Sequence, residues 1–204
     1  GIKVSVFDSS SNALSSDVIL VNNSGSAATS QSFTLTTGVN ENVGGSGNDT
    51  FDASTTANSL NDFDNLDGAG GTDTVVAKTT TIAGTASSIA PVMKNIEVIS
   101  VTNTDSTAAG VLDPNDGDIL TVNLAEATSI EKVMNVTSND SVTFDNVGQI
   151  VTLEVKSAQN DTTVNYDYQA LVGSADNMTI VVKGTNGTDV SIDDDNPLDS
   201  SVIE

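Results

Sequence analysis

Short runs of β-branched and apolar residues, each closed by Asn, Asp, Ser or Gly, recur along almost the whole chain. They fall at Ile2 to Phe7, Val18 to Val21, Phe33 to Thr36, Thr74 to Val76, Glu97 to Thr102 and Ile119 to Leu124, and continue at Lys132 to Thr137, Ser141 to Phe144, Ile150 to Lys156, Thr162 to Tyr166, Thr179 to Lys183 and Asp189 to Ile192. Leu153 and Val155 alternate with Thr152, Glu154 and Lys156, the period of a half-buried strand. The Asn-Asp, Asn-Gly and Asp-Gly connectors accept turn conformations. Helical spacing is confined to short pieces near Ala53 to Leu60, Ile89 to Met93 and Tyr166 to Leu171. The chain is therefore expected to be all-β.

Spacing selects among all-β folds. The strong strands around Val98, Leu120, Val133, Leu153 and Ile180 recur at roughly 20 to 30 residues, which suits a parallel β-helix whose coils each supply two or three strands. A β-sandwich of short strands is the alternative, with the same composition. The β-helix is favoured by two segments that read alike, Asn95-Ile96-Glu97-Val98-Ile99-Ser100-Val101 and Ser129-Ile130-Glu131-Lys132-Val133-Met134-Asn135-Val136. Stacked coils would put their apolar residues in one interior column, with Asn and Thr ladders at the corners. The expected division is residues 1–32 as terminal strands, a cap or the end of a preceding domain; 33–192 as the β-helix; and 193–204 as an acidic exit or linker.

Composition narrows function. The 28 acidic side chains against six lysines give a net charge of −22, which repels nucleic acid and anionic membranes. No His and no Cys are present, so thiol catalysis, Ser-His triads and the usual zinc sites are excluded. Serines and threonines lack an activating partner. With only 5 Phe, 2 Tyr and six lysines, the chain is poor in the platforms and bases a sugar-cleaving groove needs, and a non-enzymatic role is expected. No apolar run is long enough for a membrane helix, so no membrane insertion is expected. The opening Gly1 reads as that of a fragment or processed piece of something larger, and the acidic, cysteine-free, lysine-poor composition leans toward an extracellular location.

Residues Gly44-Gly45-Ser46-Gly47-Asn48-Asp49-Thr50-Phe51-Asp52 match, position by position, the nonapeptide G-G-x-G-x-D-x-U-x of calcium-binding β-helices. A second, degenerate copy follows as Leu66-Asp67-Gly68-Ala69-Gly70-Gly71-Thr72-Asp73-Thr74-Val75, with Ala69 in place of a glycine. Glycines let a turn aim carbonyl oxygens inward, and aspartate adds a hard anionic oxygen. Calcium takes six to eight oxygens and one turn offers about three, so two turns must stack. The expected ligands are the Asp49 and Asp73 carboxylates and the carbonyls of Gly45, Gly47, Gly68 and Gly70, with Asp52, Asp62, Asp64 and Asp67 completing this site or an adjacent one. Magnesium suits such carbonyl-rich loops less well than Ca2+. Two carboxylates about 5 Å apart repel by roughly 1 kcal/mol in water and roughly 3 at an effective dielectric near 20, so folding is expected to depend on calcium. The acidic run Asp113 to Asp118 reads as a turn before the next strand.

Phe33 to Ala53 and Leu66 to Val75 resemble the RTX-type repeat region of bacterial surface-layer proteins, and Asn95 to Val101 resembles the coils that follow it in that group. The resemblance implies type I export, an extracellular location at the cell surface and self-association in a calcium-dependent two-dimensional lattice. It also implies contact with cell-surface polysaccharide through another part of the parent chain. A module of a large RTX adhesin and the non-catalytic calcium-binding domain of a secreted enzyme are the alternatives.

Overall fold

The computed structural model describes residues 28–82, 85–105, 118–171, 177–185 and 188–194. The strands expected at 2–7 and 18–21, nearly all of residues 1–32, most of the acidic run 113–118 and the exit beyond Asp194 lie outside these.

Each coil begins with a strand of one long sheet. Its strands are β1 (Ser32–Thr34), β3 (Thr50–Ala53), β5 (Thr74–Thr81), β8 (Val98–Asp105), β10 (Lys132–Val136), β12 (Thr152–Lys156) and β14 (Thr179–Lys183), hydrogen-bonded in that order. A second sheet runs β6 (Ser87–Ile89), β9 (Ile119–Asn123), β11 (Ser141–Val147), β13 (Thr162–Tyr166) and β15 (Val190–Asp194). The short strands β2 (Glu41–Val43), β4 (Asn65–Asp67) and β7 (Val92–Lys94) form a third. Every strand pairing is parallel. The fold is thus a parallel β-solenoid of about six turns, and the sandwich alternative falls.

Register explains why so thin a core holds. Phe33, Phe51, Val75, Ile99, Val133, Leu153 and Ile180 are successive partners across the first sheet. Between Phe51 and Leu153 this column is fully buried, and the Phe33 and Phe51 rings stack with centroids 5.1 Å apart. Val122, Phe144 and Val164 form the facing column. Repeating one apolar residue at one position buries it against its own kind above and below, so each coil is stable only in a stack. On the last coil the column opens, and Ile180 and Val182 are 46% and 49% exposed.

The two look-alike segments do stack, with Val98 beside Lys132 and Ile99 beside Val133. Asn95 and Ser129 both turn the chain at positive φ (50° and 74°), and the Glu97 carbonyl accepts the amides of Glu131 and Lys132. The polar ladders are partial. Thr80 meets Thr104 at 3.1 Å, and Asn135 donates to Thr162 inside the core at 2.7 Å.

Two expected helical pieces are loops and strands instead. After Ala53 the Asp52 carboxylate accepts the Ser54 amide and hydroxyl, and Asn58 takes φ 60°, so the chain turns at once. Ile89 and Met93 have helix-like spacing, yet they end and occupy two different strands, β6 and β7, on either side of a corner at Pro91. The third piece does hold a helical turn, Tyr168–Leu171, of the 3-10 type.

Candidate metal centre

Two turns connect the third sheet to the first. Gly44 to Asp49 joins β2 to β3, and Gly68 to Asp73 joins β4 to β5. Because Val43 pairs with Asp67 and Thr50 with Thr74, the turns lie side by side in strict 24-residue register. Gly44 lies over Gly68, Gly45 over Ala69, Gly47 over Gly71 and Asp49 over Asp73. The nonapeptides therefore stack, as their spacing predicts, but the counterpart of Gly47 is Gly71 and not Gly70.

Backbone bonds lock the two turns together. Gly44 donates to the Asp67 carbonyl at 2.7 Å, Gly70 to the Gly45 carbonyl at 2.9 Å and Thr74 to the Asp49 carbonyl at 2.9 Å. Thr72 donates to the Asn48 side chain at 2.9 Å. Contact is close enough to require glycine. A side chain at Gly44 would start 2.2 Å from Asp49 Oδ2 and 2.7 Å from the Gly68 carbonyl. At Gly68 it would start 2.1 Å from the Asn95 carbonyl and 2.3 Å from Asp73 Oδ2. Gly71, at φ 131°, faces the Gly47 carbonyl in the same way.

The acids form a column. Asp49 Oδ1 accepts the Gln31 amide at 2.6 Å, Asp73 Oδ1 accepts the Asp49 amide at 2.6 Å, and Glu97 Oε2 accepts the Asp73 amide at 2.7 Å. Each carboxylate caps an amide of the preceding coil. Glu97 was not among the expected site residues, although it lies one 24-residue step beyond Asp73. Gly44 and Gly71 stand in the two motif copies but not among the expected ligands, and the same period marks them as contact positions.

One oxygen stands apart. Asp49 Oδ2 accepts the Gly45 amide at 2.5 Å. In the next turn the equivalent amide, that of Ala69, donates instead to Asp67 Oδ1 at 2.9 Å. Asp73 is fully buried, and its Oδ2 has no hydrogen-bond partner. Burial pushes the Asp73 carboxyl above the ordinary aspartate range; the Asp49 amide opposes this, and the negative Asp49, Glu97 and Asp67 reinforce it.

The remaining expected ligands are dispersed. Asp67 flanks the second turn, where the Asn95 side chain, the Ala69 amide and nearby Lys94 hold its carboxyl below the usual range. Asp52 binds its own loop through Ser54 and Thr55, which lowers its carboxyl too. Asp64 is buried at the opposite end of β4, accepting the amides of Asn40 and Asn61 and the Asn40 side chain. Asp62 accepts the Ala90 amide on that same side. Asp52, Asp62 and Asp64 are thus engaged away from the glycine turns.

Among the described residues no three acidic side chains converge as a metal-holding group. What the turns offer is a carbonyl-rich set with one buried carboxylate oxygen that lacks a donor. Carbonyl oxygens carry two lone pairs, so those of Gly45 and Gly68 keep capacity beyond their amide bonds. Such donors fit a hard, adaptable cation like Ca2+ and not one that demands nitrogen or sulfur. Beside the turns, the outer face of the third sheet holds an open groove of about 370 Å³ lined by Glu41, Asn42, Val43, Asn65, Asp67 and Lys94, with no aromatic platform.

Fold and site together define a parallel β-solenoid carrying two stacked acidic glycine turns. No family model, curated protein or solved structure matches the chain. Among the described residues no helix is long and apolar enough to cross a membrane.

Proposed function

We propose that this chain is a calcium-stabilised structural segment of a secreted bacterial surface layer, without catalytic activity of its own. The observation that carries the calcium reading is Asp73 Oδ2, a buried carboxylate oxygen without a donor beside a stack of carbonyl-bearing turns. A buried carboxylate is costly without a partner, and with 28 acids for six lysines a cation from solution is the partner this reading assigns. Calcium is scarce in the cytoplasm and millimolar outside. The segment would stay loose until export and order itself on arrival. The lattice, the RTX kinship and the link to cell-surface polysaccharide rest on the sequence resemblance, and the solenoid suits them as a rigid, extensible element.

A calcium titration followed by circular dichroism and light scattering, then reversed with chelator, tests this reading. Sheet content and particle size should rise together and fall together. Indifference of both to chelation overturns calcium as the fold's ligand. Ordering without growth retains the ion and overturns the lattice.

A further inference from the structure

The two glycine turns differ at one amide, and from that difference we infer that the ion binds at the step between the second turn and the coil after it, against Asp73 and Asn95, and not between the two glycine turns. The inference rests on the calcium reading above and relocates its site.

At the first step the carboxylate is already satisfied. Asp49 Oδ1 takes the Gln31 amide and Oδ2 the Gly45 amide, at 2.6 and 2.5 Å. A cation there has to displace or compete with two short charge-assisted bonds. Asp73 is only half satisfied. Its Oδ1 takes the Asp49 amide, and its Oδ2 takes nothing although the residue is fully buried.

The cause is the departure from the nonapeptide pattern. Ala69 occupies the place of Gly45, its φ of 63° is left-handed, and its amide is directed to Asp67 Oδ1. The oxygen it leaves behind does not stand alone. Asp73 Oδ2 and the Asn95 carbonyl of the following coil converge beside Gly68, 2.3 and 2.1 Å from the point where a side chain would start. Two oxygens so close to one point lie near enough for a single calcium, with bonds of about 2.3 to 2.6 Å, to touch both. Glu97, whose Oε2 holds the Asp73 amide, adds a second negative charge on that coil. Asn95-Ile96-Glu97 carries no glycine turn, so this site pairs one nonapeptide with an unrelated segment.

The test combines calcium titration calorimetry of the intact chain and of Asp73→Asn, Asp49→Asn and Glu97→Gln with an anomalous map of terbium-soaked crystals of the unaltered protein. Asp73→Asn should weaken calcium binding by at least about thirtyfold, while Asp49→Asn and Glu97→Gln, which remove only neighbouring charge, weaken it by clearly less. The terbium peak should touch Asp73 Oδ2 and the Asn95 carbonyl. Equal losses in the two aspartate variants, or a peak among Gly45, Gly47 and Asp49, overturn the relocated site and leave the calcium reading standing. Binding indifferent to Asp73→Asn does the same. Absence of calcium binding by the parent overturns both. If Asp49→Asn does not fold, the terbium position decides alone.

Discussion

The amide of Asp49 donates to the Asp73 carboxylate of the next coil at 2.6 Å, and the Asp73 amide donates onward to Glu97 at 2.7 Å. The acids that the nonapeptides place here therefore tie coil to coil through the backbone, and this role needs no metal. It also concentrates negative charge in one column, buried at Asp49 and Asp73, which is what makes a cation useful.

Close packing of the turns predicts a sharp contrast between two glycines. Gly68→Ala puts a methyl 2.1 Å from the Asn95 carbonyl and should cost about 3 kcal/mol, because the obstruction is a backbone carbonyl and the buried Asp73 carboxylate. At Gly70 the nearest atoms are 3.9 Å away, and Gly70→Ala should change stability by less than about 1 kcal/mol. Chemical denaturation of both variants in calcium checks this; equal losses would show that the turns are not packed as described.

The stacked phenylalanines predict where the aliphatic solenoid is most sensitive. Phe51→Ala removes a fully buried ring that contacts Phe33 and should destabilise by about 3 to 5 kcal/mol. Phe63→Ala, at a ring 74% exposed, should stay within about 0.5 kcal/mol. Thermal melts of the two proteins give the comparison.

Strands of five residues or more were legible because period-two alternation needs that length to declare itself. Lys132–Val136, Thr152–Lys156 and Thr162–Tyr166 show this. The three-residue strands Glu41–Val43 and Asn65–Asp67 carry no such signal, and only register with their neighbours makes them strands. Ile89 and Met93 misled because a solenoid corner reproduces helical spacing. The glycine turns were readable from their motif and correctly stacked. Nearness in sequence, however, says nothing about which corner of a coil a residue occupies. Asp62 and Asp64 were grouped with Asp67, but they sit at the other end of β4. Glu97 was invisible to a search for a motif and visible only to a search for a period.

Left-handed turn positions occupied by ordinary residues predict a stabilising change. Ser129 sits at φ 74°, where a Cβ is strained, so Ser129→Gly should raise stability by about 0.5 kcal/mol after the entropy cost of glycine. Ser100→Gly, in the middle of β8, should lower it by about 1 kcal/mol. Denaturant midpoints of opposite sign are the expected result.

On the outer face of the first sheet, Lys132 at 2.5 Å and Lys183 at 3.3 Å flank Glu154. The hydrogen bond and charge of Lys132, then those of Lys183, hold its carboxyl below the ordinary glutamate value of 4.5. A carboxyl lowered in the folded state contributes stability above that value and loses it as the pH falls through the folded-state pKa. Glu154→Gln should therefore make the acid side of the stability curve shallower. At 1 M salt the difference between the two proteins should shrink. Melting temperatures from pH 7 down to pH 3 read it directly.

Hydrogen exchange of the backbone amides at 68–74 and 95–98, with calcium and with chelator, tests most directly whether calcium holds the second glycine turn to the coil after it. With an affinity of roughly 0.1 mM and about 10 mM calcium, exchange at those amides should slow by about a hundredfold, and equal magnesium should do much less. Identical exchange in calcium and in chelator would contradict the account.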